Sequence, residues 1–135
     1  MEMNASKVKD IIGDNPRFHF DENEPYGYYI CSEENQTIRD TSILKYWEKL
    51  KYMSENADFL IQQAFQASFY DFYGVNRKFI ASSEEMCQQL IVDSFVLYAH
   101  DDSIGCCLSN SQYMFGHFIE CLWNVHWALI YSTIC

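Results

Sequence analysis

Tyr113-Met114-Phe115-Gly116-His117-Phe118-Ile119-Glu120-Cys121-Leu122-Trp123-Asn124-Val125-His126-Trp127-Ala128-Leu129-Ile130-Tyr131-Ser132-Thr133-Ile134-Cys135 is the stretch that decides the fold. It divides at Asn124-Val125-His126 into two short runs, Phe115 to Trp123 and Trp127 to Ile134. Both are rich in aromatic and β-branched residues and contain no proline. That composition favours strand over helix. A hairpin this apolar cannot stand alone in water, so it belongs to a larger sheet covered on at least one face.

Working upstream, Ile91 to His100 is strand-like. Phe95, Leu97 and Ala99 fall on one face and Ser94, Val96 and Tyr98 on the other. Asp101-Asp102-Ser103 turns the chain, Gly105 to Leu108 is a short strand, and Ser109-Asn110-Ser111 is a second turn. With the closing hairpin these segments make a four-strand meander. Three helical segments precede it. Thr41 or Ser42 can cap a helix with the apolar stripe Ile43, Leu44, Trp47 and Leu50. Asn56 can cap a helix from Ala57 to about Tyr73, with a stripe of Leu60, Ile61, Ala64, Phe65, Phe69 (with Ala67) and Phe72, stopped by Gly74. Ser82-x-x-Glu85 is a capping box that opens a short helix with Met86, Cys87 and Leu90 inward. Arg77 to Ala81 connects the last two. Nearer the start, Arg17 to Phe20 and Tyr26 to Cys31 read as two strands paired with each other across the Asp21-Glu22-Asn23-Glu24-Pro25 loop, with the polar Ser32 to Asp40 leading onward. The order points to an α+β fold. It has a mainly antiparallel sheet, an N-terminal hairpin plus the C-terminal meander, with two to three helices packed on one face. The expectation is a single domain over 1–135, with 1–16 a loosely packed lead-in that holds one short helix, Ser6 to Ile12, ended by Gly13 and Pro16.

Charge bounds the function. The chain has 9 Lys and Arg against 19 Asp and Glu, a formal net charge of -10. Phosphate backbones and anionic membrane surfaces need basic partners, so nucleic acid and membrane are not expected. A basic protein partner, or solubility alone, fits better. Lys and Arg stop at Lys78, and the rest of the chain carries six acidic residues and no basic one, Glu84, Glu85, Asp93, Asp101, Asp102 and Glu120. Compositional drift is one reading of that asymmetry. A negative field presented by the sheet-rich half to a cationic ligand is the other. The N-terminus has no apolar signal core and no run approaches 18 apolar residues, which makes the cytoplasm the expected compartment and reduced thiols the expected state of the six cysteines.

Motifs for chemistry are sparse. His117 and Cys121 lie four apart, which on a strand separates them by about 13 Å on one face, too far to share an ion. There is no C-x-x-C, so no metal is expected and buried structural thiols are preferred. The carboxylate pairs Asp21-Glu22, Glu33-Glu34, Glu84-Glu85 and Asp101-Asp102 sit in turns or at a helix start, where solvated charge or a helix dipole explains them. Five glycines form no phosphate-binding pattern, so no cofactor is expected. Gly116 fits a bulge or close approach in the strand, and His117 a satisfied sheet histidine or a contact residue. Aromatic side chains exceed what a core needs with so few helices, which leaves some Tyr and Trp exposed beside acidic groups.

The segment Ser109-Asn110-Ser111-Gln112-Tyr113-Met114-Phe115-Gly116-His117-Phe118-Ile119-Glu120-Cys121, with its F-G-H-x-I-E core, resembles small acidic bacterial immunity proteins of polymorphic toxin systems, including contact-dependent growth inhibition. In those proteins a polar S-N turn likewise precedes such a strand. Asn124-Val125-His126 here stands where they carry an Asp-Gly turn. The resemblance spans about residues 17–135 and carries over no catalytic residue. It implies a cytosolic protein, not an enzyme, that binds and neutralises a cognate toxin domain. The toxin would be a basic nuclease, towards which an acidic inhibitor is steered.

Under that reading the contacts expected are Asp21, Glu22, Glu24, Asp93, Asp101, Asp102 and Glu120, with nearby Tyr or Trp as anchors, on a monomer or weak dimer. Two other classes compete. A small enzyme with a Cys/His or carboxylate site would bring His100 or His117 within reach of a thiol. An oligomeric adaptor would carry a self-complementary apolar patch.

Overall fold

The computed structural model of the chain describes residues 5–19, 28–31, 40–76, 83–110 and 117–135. Four helices, α1 (Ala5–Ile12), α2 (Asp40–Glu55), α3 (Ala57–Asn76) and α4 (Ser83–Gln89), accompany five strands, β1 (Tyr28–Cys31), β2 (Ile91–Tyr98), β3 (Ile104–Ser109), β4 (Ile119–Trp123) and β5 (Leu129–Ile134). The strands form one sheet in the order β1-β2-β3-β4-β5. The class is α+β, and the β2-β3-β4-β5 meander is antiparallel throughout, as its turn spacing predicts.

The N-terminal segments do not pair with each other within the described residues. Phe18 makes a single parallel bridge to Val92. β1 lies parallel to β2 further along, with Tyr28 opposite Phe95 and Cys31 opposite Tyr98. Both segments therefore occupy the same edge of β2. The residues between β1 and β2, which include α2, α3 and α4, provide the long crossover that a parallel pair needs.

Local chemistry sets the helix ends. Gly13 adopts φ +62° and donates its N–H to the Lys9 carbonyl at 2.7 Å, which closes α1. Asn56 separates α2 from α3, but it does not cap α3 with its side chain. Its Nδ2 donates 2.9 Å back to the Tyr52 carbonyl of α2, while its own carbonyl accepts the Leu60 N–H at 3.0 Å. α3 runs through Gly74 to Asn76. One glycine costs a helix about 1 kcal/mol, too little to stop a long one.

One face of the sheet holds the core. Val92, Phe95 and Leu97 of β2, Ile104, Cys106 and Leu108 of β3, and Ile119, Cys121 and Trp123 of β4 are buried. They pack with Val8 and Ile12 of α1, Tyr46, Leu50 and Met53 of α2, Leu60, Ile61, Ala64 and Phe65 of α3, and Met86 of α4. In α2 the buried stripe is Tyr46, Leu50 and Met53 with Trp47 partly covered, whereas Leu44 is 68% exposed. Helical spacing alone allows either stripe, and the tertiary packing of α2 into the core selects the second. In α3, Ala67 is exposed and Ser68 is buried, its Oγ donating to the Ala64 carbonyl at 3.1 Å. Ser132 Oγ of β5 donates to that same carbonyl at 2.7 Å, which ties α3 to the last strand.

A register shift between Val92 and Ser94 makes Asp93 an extra residue in β2. The bulge changes the phase of the strand, so that Val92 and Phe95, three apart, both face the core. Arg17 fastens the neighbouring corner. Its Nε donates to the Leu90 carbonyl at 3.0 Å, just past α4, and Nη2 to the Cys87 carbonyl at 2.9 Å, in the last turn of α4. Its Nη1 meets Asp58 Oδ1, in the first turn of α3, at 3.0 Å.

Candidate interaction surface

No described element covers the second face of the sheet. Register stacks two rows across it. Val96, Gly105, Leu122 and Tyr131 form one row, and Ser94, Cys107, Glu120 and Thr133 form the next. Alternation places these side chains opposite the core face, and each is exposed or only half-buried. Gly105 makes room for the aromatic ring of Tyr98: a Cβ there would lie 3.3 Å from Tyr98 Cε2 and 3.7 Å from Leu122 Cδ1.

Glu120 stands at the centre of this face. Tyr131 Oη donates to its Oε1 at 3.4 Å and Cys135 Sγ to its Oε2 at 3.4 Å. Partial burial, then the charge of Glu120, raise the Tyr131 phenol above its ordinary range, so it stays a neutral donor. Tyr131 is 39% exposed and Phe118, just before β4, is 37% exposed. Burial raises the Cys107 thiol as well, with Glu120 and Asp93 adding negative charge, so this thiol stays protonated at neutral pH.

The expected acidic contacts separate into groups. Asp93, exposed on its bulge, and Glu120 belong to the open face. Asp101 and Asp102 lie in the β2–β3 turn, on the order of 20 Å further along β2. Asp101 Oδ1 accepts the Ser103 hydroxyl at 2.6 Å and the Ser103 N–H at 3.0 Å, and these bonds lower its carboxyl pKa. Asp102, at φ +59°, places Oδ1 2.8 Å from Lys45 Nζ of α2, and that bond raises the lysine pKa. Lys45 is thus the charged partner of a carboxylate oxygen that is closed off from solvent. Asp21, Glu22 and Glu24 lie outside the described residues, as do Arg77 to Ala81, Ser82 and the Phe115-Gly116 pair.

The histidine and thiol geometry bears on the enzymatic alternative. His117 Nδ1 lies 3.1 Å from the Cys135 carbonyl oxygen, which can accept a hydrogen bond from a proton carried on that nitrogen. His100 Nε2 lies 3.5 Å from Asp101 Oδ2. Cys106 and Cys121 face each other across β3 and β4 in the core, with Cys106 Sγ 3.6 Å from Met53 Sδ. Hydrogen bonding with Cys121 and burial hold the Cys106 thiol well above its ordinary range. Among the described residues no three His, Cys, Asp or Glu side chains converge as a metal site, and no helix is long and apolar enough to cross a membrane.

Sequence reasoning missed a cluster at the β4–β5 turn. Trp127 adopts φ +62°, with its ring 4.5 Å from that of Tyr52 and the Lys49 Nζ 5.8 Å from the ring centroid. Burial lowers the Lys49 pKa. Comparison with family models, with curated proteins and with solved structures finds no match to this chain.

Proposed function

We propose that this protein is an inhibitor of the immunity class, which binds and neutralises a basic toxin domain, a nuclease in the first instance, through the open face of its sheet. The observation that carries this reading is the position of Glu120 and Asp93 among Tyr98, Leu122, Tyr131 and Phe118, in a half of the chain without Lys or Arg. Aromatic anchors with an acidic rim suit a cationic protein surface. The resemblance around Phe115 to Glu120 supports the same class. The turn carboxylates are weaker contacts under this reading, because Asp102 is already matched by Lys45 and Asp101 by Ser103.

Co-expression with the product of the neighbouring gene tests it. The expected result is relief of toxicity and a complex that weakens as salt rises, with Glu120→Lys weakening binding at least tenfold while the fold is kept. A non-toxic neighbour, or no complex at low salt, overturns the reading. Unchanged binding by the Glu120→Lys protein places the contact elsewhere.

A further inference from the structure

The last strand, β5, is an edge strand with an unusual face to the outside. Phe118 and Cys135 exchange both backbone bonds, Phe118 N–H to Cys135 O at 3.3 Å and Cys135 N–H to Phe118 O at 2.9 Å. Antiparallel alternation then turns the peptide groups of Tyr131 and Thr133 towards β4. Those of Ser132 and Ile134, with the Ile130 carbonyl, point away from the sheet, where no further strand follows among the described residues.

Natural edge strands carry lysine, proline or inward charge to prevent pairing. β5 carries none of these, and from Cys121 to Cys135 there is no Asp, Glu, Lys or Arg. Its one register shift, opposite Leu122 and Trp123, falls at Ile130 near the start of the strand and leaves Tyr131 to Ile134 in regular register. Its sequence is also nearly symmetric about Ser132. Antiparallel pairing of two copies on that centre sets Ile130 against Ile134, Tyr131 against Thr133, and Ser132 against itself. Aromatic with β-branched pairs of this kind stabilise sheets. The Ser132 and Ile134 groups and the Ile130 carbonyl then form about four inter-chain backbone bonds. Ser132 is held for this role by its side chain, which bonds inward to Ala64.

We infer that β5 is a self-association strand, which joins two copies about a two-fold axis through Ser132 into one continuous sheet. Charge chooses this approach: each copy carries -10, and β5 is a sheet edge along which two copies meet without opposing carboxylates. A six-residue edge buries less than the roughly 1,200 Å² of stable interfaces, so the dimer is weak and concentration-dependent. The inference goes beyond the inhibitor reading and does not depend on it.

Sedimentation velocity on the full chain, alone, from micromolar to millimolar protein tests it. The mean mass should climb from 16.0 kDa towards twice that value. It should climb at lower protein concentration in about 0.5 M salt than in about 0.05 M, because salt screens the mutual repulsion; a toxin complex has the opposite salt dependence. Amide exchange at Ser132 and Ile134 should slow at least tenfold over the same range. Ile130→Lys should abolish the mass increase with an unchanged circular dichroism spectrum, since Ile130 is 56% exposed. Thr133→Lys replaces it if that protein fails to fold. A monomer under every condition overturns the inference. So does a dimer in which Ser132 and Ile134 exchange as in the monomer, a lysine variant that still associates, or protection that appears only when a different protein is added.

Discussion

Trp127 stacks on Tyr52 with ring centroids 4.5 Å apart and planes 27° from parallel, and it does so from a left-handed backbone at φ +62°. The Trp127 N–H donates to the Asn124 carbonyl at 2.9 Å and the Asn124 N–H to the Ala128 carbonyl at 2.9 Å. Asn124 Oδ1 accepts from the His126 and Ala128 N–H groups. Such a turn ordinarily puts glycine at the left-handed position. A bulky residue there costs on the order of 1–3 kcal/mol, which the Tyr52 stack and the Lys49 ammonium offset.

Substitution separates the two effects. Trp127→Ala keeps the unfavourable backbone and loses the stack. Trp127→Gly loses the stack but accepts the backbone. We expect both to destabilise in urea, with the glycine protein more stable than the alanine protein by about 1 kcal/mol. Equal stabilities would mean that the left-handed backbone carries no cost here.

Arg17 joins three parts of the chain through planar donors, two of them on carbonyls of the α4–β2 corner. Its side chain is largely buried, so truncation leaves those carbonyls short of a partner. Arg17→Ala should cost about 1–3 kcal/mol. Arg17→Lys should recover less than half, because an ammonium cannot serve divergent acceptors as the guanidinium fork does. Asp58→Asn should be nearly silent, since that carboxylate is exposed. Urea midpoints of the three proteins check the order, and full rescue by lysine would show that only charge matters.

Asp101 gives a pH dependence with a defined sign. Ser103 holds its carboxyl below the usual range. A depressed folded-state pKa contributes stability that is present above the unfolded value of about 3.9 and lost as pH falls through the lower folded value. The side chain is half exposed, so the contribution is a few tenths of a kcal/mol. The native protein should exceed Asp101→Asn in stability at neutral pH and lose that margin below about pH 4. A margin constant across the acid range would assign it to something other than this ionisation.

The meander was legible because its turns are chemically marked and its strands alternate: Phe95 and Leu97 inward, Ser94 and Val96 outward. The β2 bulge was not, because nothing in Val92-Asp93-Ser94 marks an extra residue, and its effect appears only in register with Leu108 and Cys107. Parallel pairing of β1 was hidden for a related reason: a long crossover leaves no local signal, whereas a nearby strand invites a hairpin reading. On the candidate surface, Tyr131 beside Glu120 was anticipated as a type of contact. The neutralisation of Asp102 was not, since Lys45 is brought to it by helix packing across a wide sequence separation.

The thiols supply a last test, and it reads burial and ionisation together. Cys106 and Cys121 are buried, Cys87 and Cys107 half-buried, and Cys135 exposed. Burial raises the Cys87 and Cys107 thiols, and hydrogen bonding with Cys121 together with burial raises Cys106 further. An acid whose pKa is raised by folding keeps its proton in the native state after the unfolded chain, at about 8.5, has released it. Stability should therefore fall as pH climbs past about 8.5. Among these five thiols a thiol-specific reagent at neutral pH should modify Cys135 first, Cys87 and Cys107 slowly, and Cys106 and Cys121 only on unfolding. Mass spectrometry of partly modified protein orders the sites. Early modification of Cys106 would show that the β3–β4 interior opens far more readily than its packing implies, and stability that rose above pH 8.5 would reverse the sign assigned to these groups.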